Sequence, residues 1–184
     1  MPFTITDFPG LLVYEPRVFE DERGYFFEAF NESTFRDAGI TDQWVQDNQS
    51  SSSYGVVRGL HYQLPPHAQT KLVRVIRGKV LDVVVDLRKG SPTCGKSYSL
   101  VLSAKNKKQL YIPKGFAHGF AVLSNKADLL YKCDTFYNRN SEKGIRYNDE
   151  ELNIDWNVLP EEAIVSEKDL LLGSFSDSAG DFIF

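Results

Sequence analysis

The feature that most constrains the fold is a period-two alternation in the middle of the chain. In Lys79–Leu87 (KVLDVVVDL), Leu81, Val83, Val85 and Leu87 fall on one side, and Val80, Asp82, Val84 and Asp86 on the other. Leu129–Tyr137 (LLYKCDTFY) repeats the pattern: Leu129, Tyr131, Cys133, Thr135 and Tyr137 share a face, opposite Leu130, Lys132, Asp134 and Phe136. Turn signals separate such runs, at Arg77-Gly78-Lys79, Lys89-Gly90-Ser91-Pro92 and Pro113-Lys114-Gly115. Short strands spaced by turns predict an all-β sandwich or jelly roll. The 13 Phe, 9 Tyr and 13 Gly agree, since aromatic rings suit a pleated surface and glycine suits tight turns. Helices are few. Asn31–Gly39 reads as a short one, capped by Asn31 or Ser33 and stopped by Gly39. Pro160–Leu172 holds helix formers enough for a short helix or turn. The polar stretch Asp47–Ser53 reads as a loop or an irregular edge strand. The segment after Gly173 is expected to be loose until its last apolar residues, which have a surface to dock on in the body or a partner.

With 184 residues the chain is long enough for one domain with a full hydrophobic core. A net charge of -4 offers no general field for nucleic acid, so any phosphate site must be a local group of Arg and Lys. The two cysteines, Cys94 and Cys133, are far apart and lack metal-type spacing, which predicts reduced thiols. Met1-Pro2-Phe3-Thr4-Ile5 has no basic region followed by an apolar run, and no stretch has the roughly 18 apolar residues of a membrane span. The expectation is a cytoplasmic protein with no membrane and no nucleic-acid partner.

The chain has only three histidines: His61, His67 and His118. A metal-binding jelly roll of the cupin type supplies H-x-H, then Glu, then a later His on a P-x-G-x-x-H turn. The later element stands at Pro113–His118, but His61 is followed by Tyr62-Gln63 and the H-x-H is missing. His67, in the turn after Pro65-Pro66, reads as a surface residue. The competing reading is proton transfer without a metal, because imidazole exchanges protons near neutrality. A carboxylate behind the ring fixes its tautomer, and a lysine stabilises an enolate where negative charge develops. Arg58 and His61 fall on opposite faces of a strictly alternating strand. Gly59 between them is a natural bulge site that brings both to one side. A hairpin through Pro65-Pro66 is expected to carry Lys71 into the same cavity. Tyr131 lies on a suitable strand face to supply a proton, although a tyrosine in a sandwich is by default a packing residue. Three unrelated, hydrogen-bonded histidines are the bland alternative.

Several motifs occur together and in order. They are Asp21-Glu22-Arg23-Gly24-Tyr25-Phe26-Phe27-Glu28; Gln46-Asp47-Asn48-Gln49-Ser50; Arg58-Gly59-Leu60-His61-Tyr62-Gln63 with Pro65-Pro66 and Gln69-x-Lys71-Leu72; Tyr111–Phe120 (YIPKGFAHGF); Leu130–Cys133; Glu142-x-Gly144-Ile145; and Ser166-Glu167-Lys168-Asp169. Over roughly residues 2–169 this set resembles the dTDP-4-dehydrorhamnose 3,5-epimerase family.

The resemblance implies a cupin-like jelly roll spanning 1–184 as one domain, with its core in 2–169 and a C-terminal tail from about 173. It implies an isomerase that inverts C3 and C5 of dTDP-4-dehydro-6-deoxy-D-glucose through an enolate, with no metal and no nicotinamide. His61 would be the general base, Asp169 its orienting partner, Lys71 the group near O4 and Tyr131 the acid on the opposite face. Arg23, Arg58 and Lys168 would meet the pyrophosphate, a role for which the guanidinium fork is suited. Glu28, Gln46 and Asn48 would contact the nucleoside, and His118 and Glu142 further parts of the substrate. The family forms homodimers that exchange N-terminal strands, so a second copy is the expected partner. Relatives that invert one carbon or shift the ketone share the fold, and a non-catalytic sugar-binding cupin is the alternative of another class.

Overall fold

The computed structural model describes residues 2–184; Met1 lies outside them. Fifteen strands follow one another along the chain: β1 (Phe3–Ile5), β2 (Leu12–Tyr14), β3 (Phe19–Asp21), β4 (Gly24–Phe26), β5 (Gln46–Ser53), β6 (Val57–Gln63), β7 (Lys71–Arg77), β8 (Lys79–Asp86), β9 (Arg88–Lys89), β10 (Ser97–Ser103), β11 (Gln109–Ile112), β12 (Phe116–Val122), β13 (Lys126–Cys133), β14 (Glu142–Gly144) and β15 (Phe182–Ile183). Two short helices join them, α1 (Glu32–Asp37) and α2 (Glu167–Leu170). A six-stranded sheet runs β1-β2-β11-β7-β13-β5, and a five-stranded sheet runs β10-β8-β12-β6-β14. All pairs within both sheets are antiparallel. The result is the expected all-β jelly-roll sandwich. No helix among the described residues is long and apolar enough to cross a membrane.

The alternation in β8 is real, and both of its faces are buried. Val80 and Val84 join Val73, Val75, Leu110, Phe120 and Leu129 in the core between the sheets. Leu81, Val83 and Val85 face outward, yet they are covered too, by Trp156, Phe175 and Phe182 from the C-terminal segment. A third cluster on the outer face of the six-stranded sheet packs Leu72 and Tyr14 under Phe35 of α1. Asn31 caps α1 by accepting from the Ser33 and Thr34 amides, and Gly39 follows with φ +83.

Five expectations need correction or refinement. The tail is not loose: Phe175 and Ser178 are buried, and β15 pairs in parallel with β9. The strand predicted over Leu129–Tyr137 ends at Cys133, because Asp134 turns to accept from the Thr70 amide at 2.7 Å and the Thr135 and Phe136 carbonyls accept from Gln69 and Gln63. β6 and β7 do not form a hairpin; the Pro65-Pro66 turn carries the chain from one sheet to the other. His67 is half-buried, with its ring bonded to Asn138 at 3.2 Å. Asp47–Ser53 forms most of β5, a regular strand at the edge of the six-stranded sheet.

The register of β6 decides what faces the interior. Val57, Leu60 and Tyr62 point to the outer cluster, so the alternation resets between Arg58 and His61. Gly59 takes φ +116, and the pairing with β12 shifts between His118 and Phe120. A Cβ at Gly59 would lie 2.6 Å from Gly119 Cα and 2.8 Å from the His118 carbonyl oxygen. Neither backbone atom has room to give. Gly59→Ala is therefore expected to lower stability by roughly 2–4 kcal/mol, from left-handed strain plus overpacking. Urea unfolding of the variant measures this directly; a loss of a few tenths would mean that the crossing can relax.

Candidate active site

Between the two sheets lies a cavity of about 560 Å³. β6 contributes Arg58 and His61, β7 Lys71, β12 His118 and Phe120, β13 Tyr131, β14 Glu142, and α2 Lys168 and Asp169. His61 and His118 sit directly opposite each other on β6 and β12. Lys71 and Tyr131 enter from the other sheet, with the ammonium 6.0 Å from the phenol ring centre. Lys71 Nζ also lies 3.5 Å from the His61 carbonyl oxygen.

The His61 ring is held from behind. Its Nε2 lies 2.9 Å from Asp169 Oδ1, and the Gly59 amide donates to the other carboxylate oxygen at 3.1 Å. Ser166 caps α2 by accepting from the Asp169 amide, which fixes the backbone that presents the carboxylate. Burial alone would raise the Asp169 carboxyl, but the bonds from His61 and Gly59 outweigh it and hold the group below the usual carboxylate value. The other ring nitrogen of His61, Nδ1, makes no hydrogen bond among the described residues and is left for the cavity. His118 is buried and shares its Nε2 with both oxygens of Asp82, at 3.1 and 3.0 Å.

Burial pushes the Lys71 ammonium below its ordinary value, opposed by the nearby Cys133, Asp82 and Glu142. Burial likewise raises the Tyr131 phenol, helped by Cys133 and opposed by Arg58. The phenol therefore stays protonated beyond its usual range and can act as a donor. At the mouth, Glu142 accepts from Lys168 Nζ at 2.7 Å and from Tyr137 OH at 2.8 Å. Arg58 donates to Ser52 Oγ at 3.1 Å, leaving most of its guanidinium free. Gln46 and Asn48 lie side by side on β5, bonded to each other at 3.0 Å, on the same strand face as Ser50, which lines the cavity.

Arg23 and Glu28 are not brought to this cavity. Arg23 sits in the β3–β4 hairpin, exposed and paired with Asp21 at 2.6 Å. Glu28 is exposed and accepts from Asn31. The hairpin pairs only with itself among the described strands, and its Tyr25 ring lies under the Lys107 ammonium at 3.6 Å, away from the cavity lining. Conversely, Asp82, Gln63 and Tyr137 belong to the site or its frame and were not singled out from the sequence. Asp82 carried a signal, as a carboxylate inside an apolar strand. Gln63 fixes the loop that presents Tyr137, accepting from the Asn138 amide at 2.6 Å and donating to the His67 carbonyl at 2.6 Å; in the sequence it stands as the last residue of the Arg58–Gln63 motif, with no role attached.

Among the described residues, no three His, Cys, Asp or Glu side chains gather as a metal site. The three imidazoles are tied to three different partners, Asp169, Asn138 and Asp82. Cys94 and Cys133 are both free.

A family model described as dTDP-4-dehydrorhamnose 3,5-epimerase matches residues 5–177. The chain belongs to the dTDP-4-dehydrorhamnose 3,5-epimerase family. An epimerase of that name from Shigella flexneri is 51% identical over 174 residues, covering 94% of this chain and 95% of the relative. The crystal structure of the Elizabethkingia anophelis epimerase superposes with a TM-score of 0.92 at 51% identity, covering 96% of this chain and 97% of that one. A Legionella pneumophila 3,5-epimerase in complex with dTDP-4-keto-L-rhamnose gives 0.90 at 47% identity, covering 95% of this chain and 92% of that one. The sandwich described above is thus the epimerase fold.

The lowered Asp169 carboxyl links this epimerase-family site to stability. A depressed native value contributes stability that is complete above the unfolded value of 3.8 and is lost as pH falls through the native one. Asp169→Asn removes that contribution. The stability gap between wild type and variant should be constant at neutral pH and narrow below about pH 4. Urea titrations from pH 3 to 7 test it; a gap independent of pH would mean that Asp169 gains nothing from ionisation in the fold.

Proposed function

We propose that this chain inverts C3 and C5 of dTDP-4-dehydro-6-deoxy-D-glucose, giving dTDP-4-dehydro-L-rhamnose. The observation that carries the reading is the convergence of His61–Asp169, Lys71 and Tyr131 on one cavity from two sheets. His61 Nδ1 takes the proton from the carbon beside the C4 ketone. The C–H electron pair becomes the enolate, whose charge falls on O4, and Lys71 donates to that oxygen. Tyr131 returns a proton to the carbon from the opposite face. His61 then releases its proton to solvent, Tyr131 recovers one, and the second carbon follows the same course. Asp169 keeps the imidazole in the tautomer that accepts at Nδ1 and stabilises the imidazolium. Arg58 and Lys168 at the mouth suit the pyrophosphate, Gln46 and Asn48 the nucleoside, and His118 and Glu142 the sugar. The continuous packing of the C-terminal segment on the five-stranded sheet supports reading residues 1–184 as one domain.

Incubation of the substrate in D₂O, followed by proton NMR, tests this. Deuterium is expected at both C3 and C5. His61→Ala should slow exchange by about 10²–10⁴-fold while substrate binding survives. Tyr131→Phe should retain exchange and lose inversion. Deuterium at one carbon alone would assign a mono-epimerase, and none at either would refute the substrate.

We infer also that the protein works as a homodimer exchanging N-terminal strands. The β3–β4 hairpin carries Arg23 and exposes Phe19, Tyr25 and Phe26 at 49, 58 and 66%. An exposed aromatic face on a self-paired hairpin calls for a covering surface, and a second copy would also give Arg23 and Glu28 a cavity to reach. Phe26→Asp should convert a dimer to a monomer in light scattering and reduce turnover. A wild-type monomer with full activity would overturn this.

A further inference from the structure

The C-terminal tail is bound to the strands that carry the site, but on their reverse side. Asp181 receives Tyr62 OH at 2.5 Å and Lys143 Nζ at 2.7 Å. Tyr62 and Lys143 stand directly opposite each other where β6 pairs with β14. The adjacent pairs in that register are His61 with Gly144 and Gln63 with Glu142. One carboxylate therefore staples the two strands at the rung between those of His61 and Glu142. β14 has three residues, lies at the sheet edge and pairs with β6 alone, so its own ladder holds it weakly.

The tail is fixed around this staple. Leu172 packs on Gly144, where a Cβ would approach it to 2.9 Å, and Gly173 bridges to Ile145. The Phe175 amide donates to Asp149 at 3.0 Å. The Phe182 ring lies 5.9 Å from that of Tyr62, and Phe184 closes over the Arg88 guanidinium at 5.0 Å. The same segment begins at α2, which carries Lys168 and Asp169. The tail thus runs from α2, an element of the site, across the back of β14 and β6 to β9, with the staple along its course.

We propose that Asp181 is a positioning residue for the reaction: by clamping Tyr62 to Lys143 it holds β14 against β6 and so sets Glu142, with the Lys168 ammonium bonded to it, relative to the His61 ring. This rests on the acid–base reading of His61 given above. Misplacement of a catalytic group by an ångström can slow a reaction about 10²-fold, and loss of the staple acts on placement, not on chemistry.

The test uses the full chain carrying Asp181→Ala, Asp181→Glu or, as a control in the same tail, Ile183→Ala, which alters a side chain that points to solvent. Two readouts are taken: kcat and KM on dTDP-4-dehydro-6-deoxyglucose across pH, and the pH titration of the His61 ring by NMR without substrate. Asp181→Ala is expected to lower kcat about 10–100-fold with KM within about threefold, and to displace both the His61 titration and the matching limb of the kcat profile. Asp181→Glu should recover most of the loss, and Ile183→Ala should match wild type. A folded Asp181→Ala protein with wild-type kcat and wild-type His61 titration overturns the proposal. Should Asp181→Ala fail to fold, Tyr62→Phe and Lys143→Met, each removing one arm, replace it, and unchanged values in both overturn it equally. If the wild type itself leaves the substrate untouched, the assigned reaction is wrong, and the clamp is then judged by the His61 titration alone.

Discussion

The crossing of Gly59 and Gly119 is the constraint on which the rest of the site depends. Two strands approach there so closely that neither tolerates a Cβ: at Gly119 the obstacle would be the Arg58 carbonyl oxygen at 2.6 Å. The approach forces β6 to break its alternation, and the break turns Arg58 and His61 to the same side. It also aims the Gly59 amide at Asp169. One backbone irregularity therefore places the imidazole, satisfies its carboxylate and leaves Leu60 and Tyr62 to the outer core. A regular strand would have sent His61 into that outer cluster, away from Lys71.

The electrostatics of the cavity follow from how each group is buried. Asp169 is enclosed but receives two donors, so its charge is retained. Lys71 and Tyr131 are enclosed with few compensating partners, and burial favours the neutral form of each. For the phenol this preserves the proton to be donated. For the amine it weakens the hold on the proton, so the ammonium becomes a better hydrogen-bond donor to an oxygen that gains negative charge. Glu142 balances Lys168 at the mouth, and a phosphate arriving there would have to compete with that carboxylate.

Much of this was legible in the sequence, for identifiable reasons. The alternation in β8 and β13 reported strands because side chains on a pleat must point to opposite sides. The bulge at Gly59 was readable because only glycine between Arg58 and His61 allows both to face inward. The membership of the sheets was not readable. The Pro65-Pro66 turn suggested a hairpin, and local pattern alone does not tell a hairpin from a crossover between layers. The end of β13 at Cys133 depends on Asp134 meeting Thr70, a contact between segments far apart in the chain. The tail looked loose because its composition is polar, whereas Phe175 and Phe182 at wide spacing suffice to seat it. The motif contained Gln63 but not its role, which is to hold backbone groups of a loop that approaches only in the folded state.

The polar face of β5 has a consequence for how the chain is made. Strands that follow one another here belong mostly to different sheets, so β5 waits for β13 and β2 waits for β11 before either ladder closes. During translation the emerging chain must carry unpaired strands until its distant partners leave the ribosome, a slow route for any protein. An apolar β5 would spend that interval as a template for other chains. Gln46-Asp47-Asn48-Gln49 followed by four serines has little apolar surface to offer them. The strand that carries Gln46, Asn48 and Ser50 beside the cavity thus offers an unpaired nascent chain few apolar contacts.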